Sequence, residues 1–175
     1  MNETLKILKE RRSVRRYEAR PVEREKLDAI LEAGKYAPSA KGQQSVTMVV
    51  LTKREDIAEL SALNAAVMGT SSDPFFGAPC VVVVLADPEA TNAANAQRDG
   101  SLTMGNLMNA AAAIGVGSCW IHRAKEEFAS PEGKALLQKW GLSEDYIGVG
   151  HCILGYPDGP LPEAKPRKAD YIVRV

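Results

Sequence analysis

A chain of 175 residues with 22 Lys and Arg against 22 Asp and Glu has no net charge at neutral pH, so no overall field draws it to nucleic acid or to a membrane surface, and any cation-dependent function must be local. Hydrophobic residues at 45% and charged residues at 25% are ordinary for a soluble globular protein, and the length suits one domain, 1–175, with a real core, or one subunit of a small assembly. No apolar run is long enough to span a bilayer, "MNETLKILKERR" lacks the apolar centre of a signal peptide, and the widely spaced Cys80, Cys119 and Cys152 in apolar surroundings suit reduced thiols, so a cytoplasmic protein without a membrane partner is expected.

In chain order, Leu5 and Leu8 mark a short opening helix that Asn2 or Thr4 can cap. "RRSVRRY" follows at 11–17, and the first 24 residues hold eight basic side chains against four acidic ones. Leu27, Ile30, Leu31 and Gly34 share one face of a helix predicted over 23–36, which "APSAKGQQS" ends. "VTMVVLT" predicts a strand at 46–52, and the spacing of Ile57, Leu60 and Leu63 predicts a helix over 54–67. The loop "MGTSSDPFFGAP" carries Phe75 and Phe76 as two exposed rings before a buried strand, "CVVVVLA", at 80–86.

From about 96 to 114 an Ala-, Leu- and Met-rich helix contains Gly100 and Gly105. Each costs about 1 kcal/mol against alanine, which predicts close approach by another backbone. "GVGSCWI" reads as a strand, Ser130 and Pro131 start a helix that runs to about 140, and "IGVGHCILG" is a strand at 147–155. A proline-rich arm then closes on the strand-like "YIVRV".

Chemistry is sparse along this chain. For the arginine cluster three readings stand: a solvated charged segment, a nucleic-acid arm without any aromatic stacking platform, or an anion site. Arg11, Ser13 and Arg15 are two apart, so on an extended chain they point the same way, with forked donors and a hydroxyl suited to phosphate oxygens. "GVGSCW" lacks the third glycine of a dinucleotide fingerprint and follows a helix, and no glycine-rich loop ends in Gly-Lys-Ser/Thr. Cys119 and His122 lack a second pair at zinc-site spacing, so no metal is expected. His151 and Cys152, neighbours on a strand, should face opposite ways. Ser39 has no evident base, and no catalytic side chain is assigned.

Four segments in order, "RRSVRRY", "YAPSAKGQQS", "GVGSCWIHRAKEEF" and "EAKPRKADY", resemble the nitroreductase family of FMN-dependent oxidoreductases. The resemblance implies an α+β, three-layer fold, with a central mixed β-sheet flanked by helices and a C-terminal strand extending to the partner subunit of a homodimer. It implies FMN held by Arg11, Arg12, Ser13 and Arg15, with Lys165 and Arg167 gripping its phosphate and Arg15 near the reduced ring. Pro38, Ser39, Ala40 and Gln44 match the family's proline-serine loop, while Gly42, Ser45 and Val46 replace its Asn, Pro and Trp. Cys119, Trp120, Ile121 and His122 match the segment that lines the flavin face, against which plain strand core is the alternative. The implied activity is transfer of reducing equivalents from NAD(P)H to a small-molecule acceptor such as a nitroaromatic or quinone. A specialised relative, such as a dehalogenase or a flavin-consuming enzyme, and a flavin- or RNA-binding module without turnover, are the other readings.

Overall fold

A computed structural model describes residues 2–175. In chain order the elements are α1 (Glu3–Glu10), α2 (Arg24–Lys35), a 3-10 turn (Ala40–Gly42), β1 (Val46–Leu51), α3 (Arg54–Met68), β2 (Cys80–Ala86), α4 (Ala93–Ala113), β3 (Gly117–Ile121), α5 (Ala124–Ala129), α6 (Pro131–Lys139) and β4 (Ile147–Gly155). The strands form one sheet in the order β1-β2-β4-β3.

Every residue of β2 is buried, and such a continuous apolar strand is stable only when both faces of its sheet are covered. The strand period of two then deals alternate residues to two cores. Val81, Val83 and Leu85 meet Leu60 of α3, Phe128 of α5 and Leu137 of α6, with Ile121 and Ile153 beside them. On the other face Cys80, Val82 and Val84 meet Leu27 and Ile30 of α2 and Met104, Leu107 and Ala111 of α4. The result is the expected helix, sheet, helix layering. His151 and Cys152 fall on opposite faces as the strand period requires, with His151 packed against Phe75 and Phe128 and Cys152 in the α4 core.

Local chemistry accounts for several element ends. Asn2, rather than Thr4, caps α1 by accepting from Thr4 N. Ser130 caps α6 through Gly133 N at 3.1 Å, with Pro131 in the first turn. Gly69 closes α3 in the left-handed conformation.

Several expectations are corrected. All three ladders are antiparallel, and parallel pairing is confined to the isolated bridge between Ser13 and Ser118, so the sheet of the single chain is not mixed. Within the single chain "YIVRV" forms no strand and residues 160–175 are exposed; the strand expected there is one that extends to a partner subunit. Phe75 is fully buried and only Phe76 is exposed, because Asp73 accepts from Phe75 N and Gly77 N and turns the loop inward at the first ring. Gly100 does mark a close approach, but to the Val149 side chain at 2.6 Å from an added Cβ, while Gly105 faces open space. The short helix α5 was not anticipated.

Burial disfavours the thiolate, pushing the Cys80 thiol up to about 12 and raising that of Cys152 as well. Cys119 is buried too. We expect Ellman's reagent at neutral pH to find none of the three thiols in the native protein and all three after denaturation. The raised thiols release protons more readily once unfolded, so native stability should fall as pH rises above the ordinary thiol range toward 12. Chemical unfolding at pH 7 and pH 10 measures that fall.

Candidate functional site

The proline-serine loop leaves α2 and folds over the N-terminal half of α4. It encloses a cavity of about 400 Å³ lined by Pro38, Ser39 and Gln44 together with Val46, Met48 and Thr103. The loop is unusually twisted, because Lys41 (φ 53°), Gly42 (φ 68°) and Gln44 (φ 51°) are all left-handed, and only the glycine adopts that conformation without steric cost. Asp99, which also lines the cavity, ties the loop down: its Oδ1 accepts from Ala40 N at 2.9 Å and its Oδ2 from Ser45 Oγ at 2.7 Å.

A second cavity, of about 200 Å³, lies at the other end of α4. Arg11 and Arg12 line it with Ile7, Ala112, Ser118 and Leu161. Val14 N donates to Ser118 O at 2.9 Å, and the Ser13 to Ser118 bridge docks the basic segment beside β3. Arg12 Nη1 donates to Lys9 O and Arg11 O at 2.7 and 2.8 Å. Arg12 Nε and Arg11 Nη1 are buried with no protein acceptor. Buried cationic donors without partners are costly, and the oxygens of an anion such as a phosphate are acceptors of the kind they lack. The residues present therefore fit a phosphorylated ligand.

The other expected site residues line neither cavity. Arg15 is exposed, as are Lys165 and Arg167 in the C-terminal arm. Cys119 and Ile121 are core on one face of β3, and Trp120 packs into the other. Of that segment only His122 is exposed.

The nitroreductase family signature matches residues 8–156. A nitroreductase from Bacteroides fragilis, solved with bound FMN, superposes with a TM-score of 0.90 at 30% identity, covering 100% of both chains. One from Desulfitobacterium hafniense, also with FMN, gives 0.88 at 28% identity, covering 100% of this chain and 99% of that one. A relative from Archaeoglobus fulgidus, carrying the name NADH dehydrogenase/NAD(P)H nitroreductase, is 31% identical over 90% of this chain and 87% of its own. The chain belongs to the nitroreductase family.

In this chain the C-terminal end of β3 is held from behind by a buried polar network that sequence reasoning missed. Asn64 of α3 is central to it. Its Nδ2 donates to His122 O at 2.8 Å and to Glu127 Oε1, and its Oδ1 accepts from Arg123 Nε at 3.1 Å. Glu127 Oε2 pairs with His151 Nε2 at 2.7 Å, both side chains being fully buried. His151 Nδ1 has no partner, so the tautomer donating from Nε2 to the carboxylate is the one that leaves no buried N–H unpaired. Arg123 is left-handed (φ 76°), and its guanidinium bond to Asn64 holds the turn from β3 into α5. The signal was available in outline: Asp99 and Thr103 continue the buried stripe of Ala96, Met104, Leu107 and Ala111 in α4, and Glu127 sits on the stripe of Ala124 and Phe128 in α5.

Asn64→Ala removes three bonds and leaves Glu127 short of a donor in the core. We expect a loss of about 3 kcal/mol in urea unfolding, and a smaller loss for Ser61→Ala on the same helix, which removes one hydroxyl bond to Asp73.

Proposed function

We propose that the chain is an FMN-dependent NAD(P)H oxidoreductase that works as a homodimer on a small conjugated acceptor, a nitroaromatic or quinone. The observation that carries the reading is the pair of buried, unpartnered guanidinium nitrogens of Arg11 and Arg12. In this reading Arg11, Arg12 and Ser13 hold the FMN phosphate. Leu161 already reaches that cavity, and Lys165 and Arg167 stand four and six residues further on, an extended reach of roughly 14 and 20 Å. They close on the phosphate from the other terminus, and Arg15 supplies a cation to the reduced ring.

When bound, FMN supplies hydride acceptance at N5 from NAD(P)H and passage of the electrons to the acceptor in a separate half-reaction. The chain's own part is to bind and orient. Pro38, Ser39, Ala40 and Gln44 contact the ring or ribityl chain, and Cys119 to His122 present backbone to the flavin face. No side chain is assigned proton transfer.

Three features favour a dimer. The loop cavity reaches Thr103 on α4 and the arginine cavity reaches Ala112, positions about 13 Å apart along a helix. One chain thus carries two separate half-sites, which a two-fold axis can bring together from different copies. Gly105 and the half-exposed Leu102 also leave α4 with an open face. β1 and β3 are the outer strands, and the apolar tail at 171–175 suits an open edge of a second copy; joining it in parallel makes the sheet mixed. Buried free thiols and the absence, among the described residues, of any helix long and apolar enough to cross a membrane support a cytoplasmic setting.

The test is the visible spectrum of the purified protein. It should be yellow, or become so with added FMN, and bleach when NADH or NADPH is added without oxygen; a colourless protein that takes up no FMN overturns the reading. Loss of a charge-assisted bond of about 1.5–3 kcal/mol predicts roughly 10- to 150-fold weaker FMN binding in Arg12→Ala. Arg167→Ala should weaken binding more than Lys53→Ala.

A further inference from the structure

We propose that Asp99 is a positioning residue, a buried latch that sets the shape of the loop at 39–45, and that Ser45 is this chain's own half of the latch. Asp99 is only 4% exposed and projects from α4, an element anchored in the core. Its two carboxylate oxygens take one donor from each end of the twisted segment, Ala40 N at 2.9 Å and Ser45 Oγ at 2.7 Å. Between these anchors lie all three left-handed residues of the loop, Lys41, Gly42 and Gln44.

The loop's other bonds are local. Gly42 N donates to Ser39 O at 3.0 Å, Gln43 N to Ala40 O at 3.1 Å and Gln44 N to Ser39 Oγ at 2.9 Å. They shape the turn but do not attach it to the body of the protein. Ser45 O, which accepts from Asp87 N at 2.7 Å, holds the exit of the loop, and among the described residues nothing but Asp99 holds its entry at Ala40 by a hydrogen bond to a remote element. Non-glycine residues stay left-handed only where their surroundings over-determine them, and the latch supplies that constraint. Because both oxygens are engaged by loop donors, Asp99 acts through Ser39, Ala40 and Gln44 rather than on a reacting atom. The family's proline, replaced here by Ser45, has no hydroxyl to give; the serine converts that departure into an anchor.

The flavin part of the test rests on the function proposed above, and the amide-exchange part does not. The full-length protein is used, with and without FMN, and two quantities are read: hydrogen exchange of the Ala40 amide by NMR, and FMN affinity by fluorescence titration. Asp99→Ala should speed Ala40 exchange by about tenfold or more and weaken FMN binding by about tenfold, as expected for losing charge-assisted bonds. Asp99→Asn keeps an acceptor for Ala40 N and offers Ser45 Oγ a donor, so both readings should stay within about threefold of the parent protein. Ser45→Ala, which leaves the Ala40 bond in place, should fall between the two. Ser130→Ala, a cap mutation on the opposite face of the sheet, should lower the melting temperature while changing neither reading.

Unchanged Ala40 exchange in Asp99→Ala overturns the latch. So does an Asp99→Asn protein as impaired as Asp99→Ala, since charge rather than bonding would then be at work. If Asp99→Ala does not fold, Ser45→Ala decides: exchange across 40–44 equal to the parent protein overturns the proposal, and faster exchange supports it. The expected exchange pattern in a protein that binds no FMN supports the latch and overturns the flavin reading alone.

Discussion

Helix α4 has to lie very close to the sheet and to α2, and the positions of both cavities follow from that contact. A Cβ on Gly100 would meet Val149 Cγ2 at 2.6 Å, one on Gly34 would meet Leu107 Cδ2 at 2.8 Å, and one on Gly150 would meet Met104 Cε at 3.2 Å. Close-packed interiors do not absorb such overlaps cheaply. The glycines therefore set the depth at which α4 sits, and with it the level at which Asp99 meets the proline-serine loop. The far end of the same helix brings Ala112 to the wall of the arginine cavity. One rigid element thus lines two cavities, and altering its seat would move both walls together.

The register of the sheet places the rest. Val46 pairs with Ala86, Ala86 with Ile147, and Ile121 with His151, so the start of β1 and the end of β3 lie toward the same end of the sheet. At that end the protein buries its costliest polar groups, Asp99 on one face and the Asn64, Glu127 and His151 group on the other. Such groups are tolerated in a core only when their bonding capacity is met. Asp99 finds its donors in the loop, Asn64 bonds the turn after β3, and Glu127 is bonded by Asn64 and His151. The opposite end, where Gly117 pairs with Gly155, carries the arginines.

The sequence was legible where one periodicity governed a whole element. β2 and β4 lie within the predicted bounds, and α2, α3, α4 and α6 do to within a few residues, because their buried faces repeat cleanly at two or at three to four residues. α5 was missed because six residues carry barely one turn and a half, and its buried stripe includes a glutamate. The tail forms no strand within one chain, because a β-prone sequence needs an edge to pair with and the strand expected there is one that extends to a partner subunit. In the site, the clustering of Arg11 and Arg12 was visible, but the alternation expected of an extended 11–15 segment did not place Arg15 with them. Asp99 and Asn64 were invisible as functional residues because a lone polar residue in a helix is ordinarily solvated; only tertiary contacts turn it into an anchor.

Backbone strain and buried polarity occur together in this protein. The described residues include four non-glycine positions with positive φ: Lys41, Gln44, Phe76 and Arg123. Each lies beside a side chain that holds the backbone locally. Asp99 clasps the segment containing Lys41 and Gln44, Asp73 accepts from the amides on both sides of Phe76, and Asn64 binds the Arg123 guanidinium and the preceding carbonyl. A left-handed residue costs about 1–2 kcal/mol, similar to the net worth of one or two hydrogen bonds, so neither feature survives well without the other. Burying the anchors raises their value, since breaking such a bond in the core leaves an unsatisfied group and not merely a hydrated one. Three of the four positions lie in the segments matched to the family's flavin contacts or directly after one. There, fixed backbone geometry gives the chain segments of defined shape.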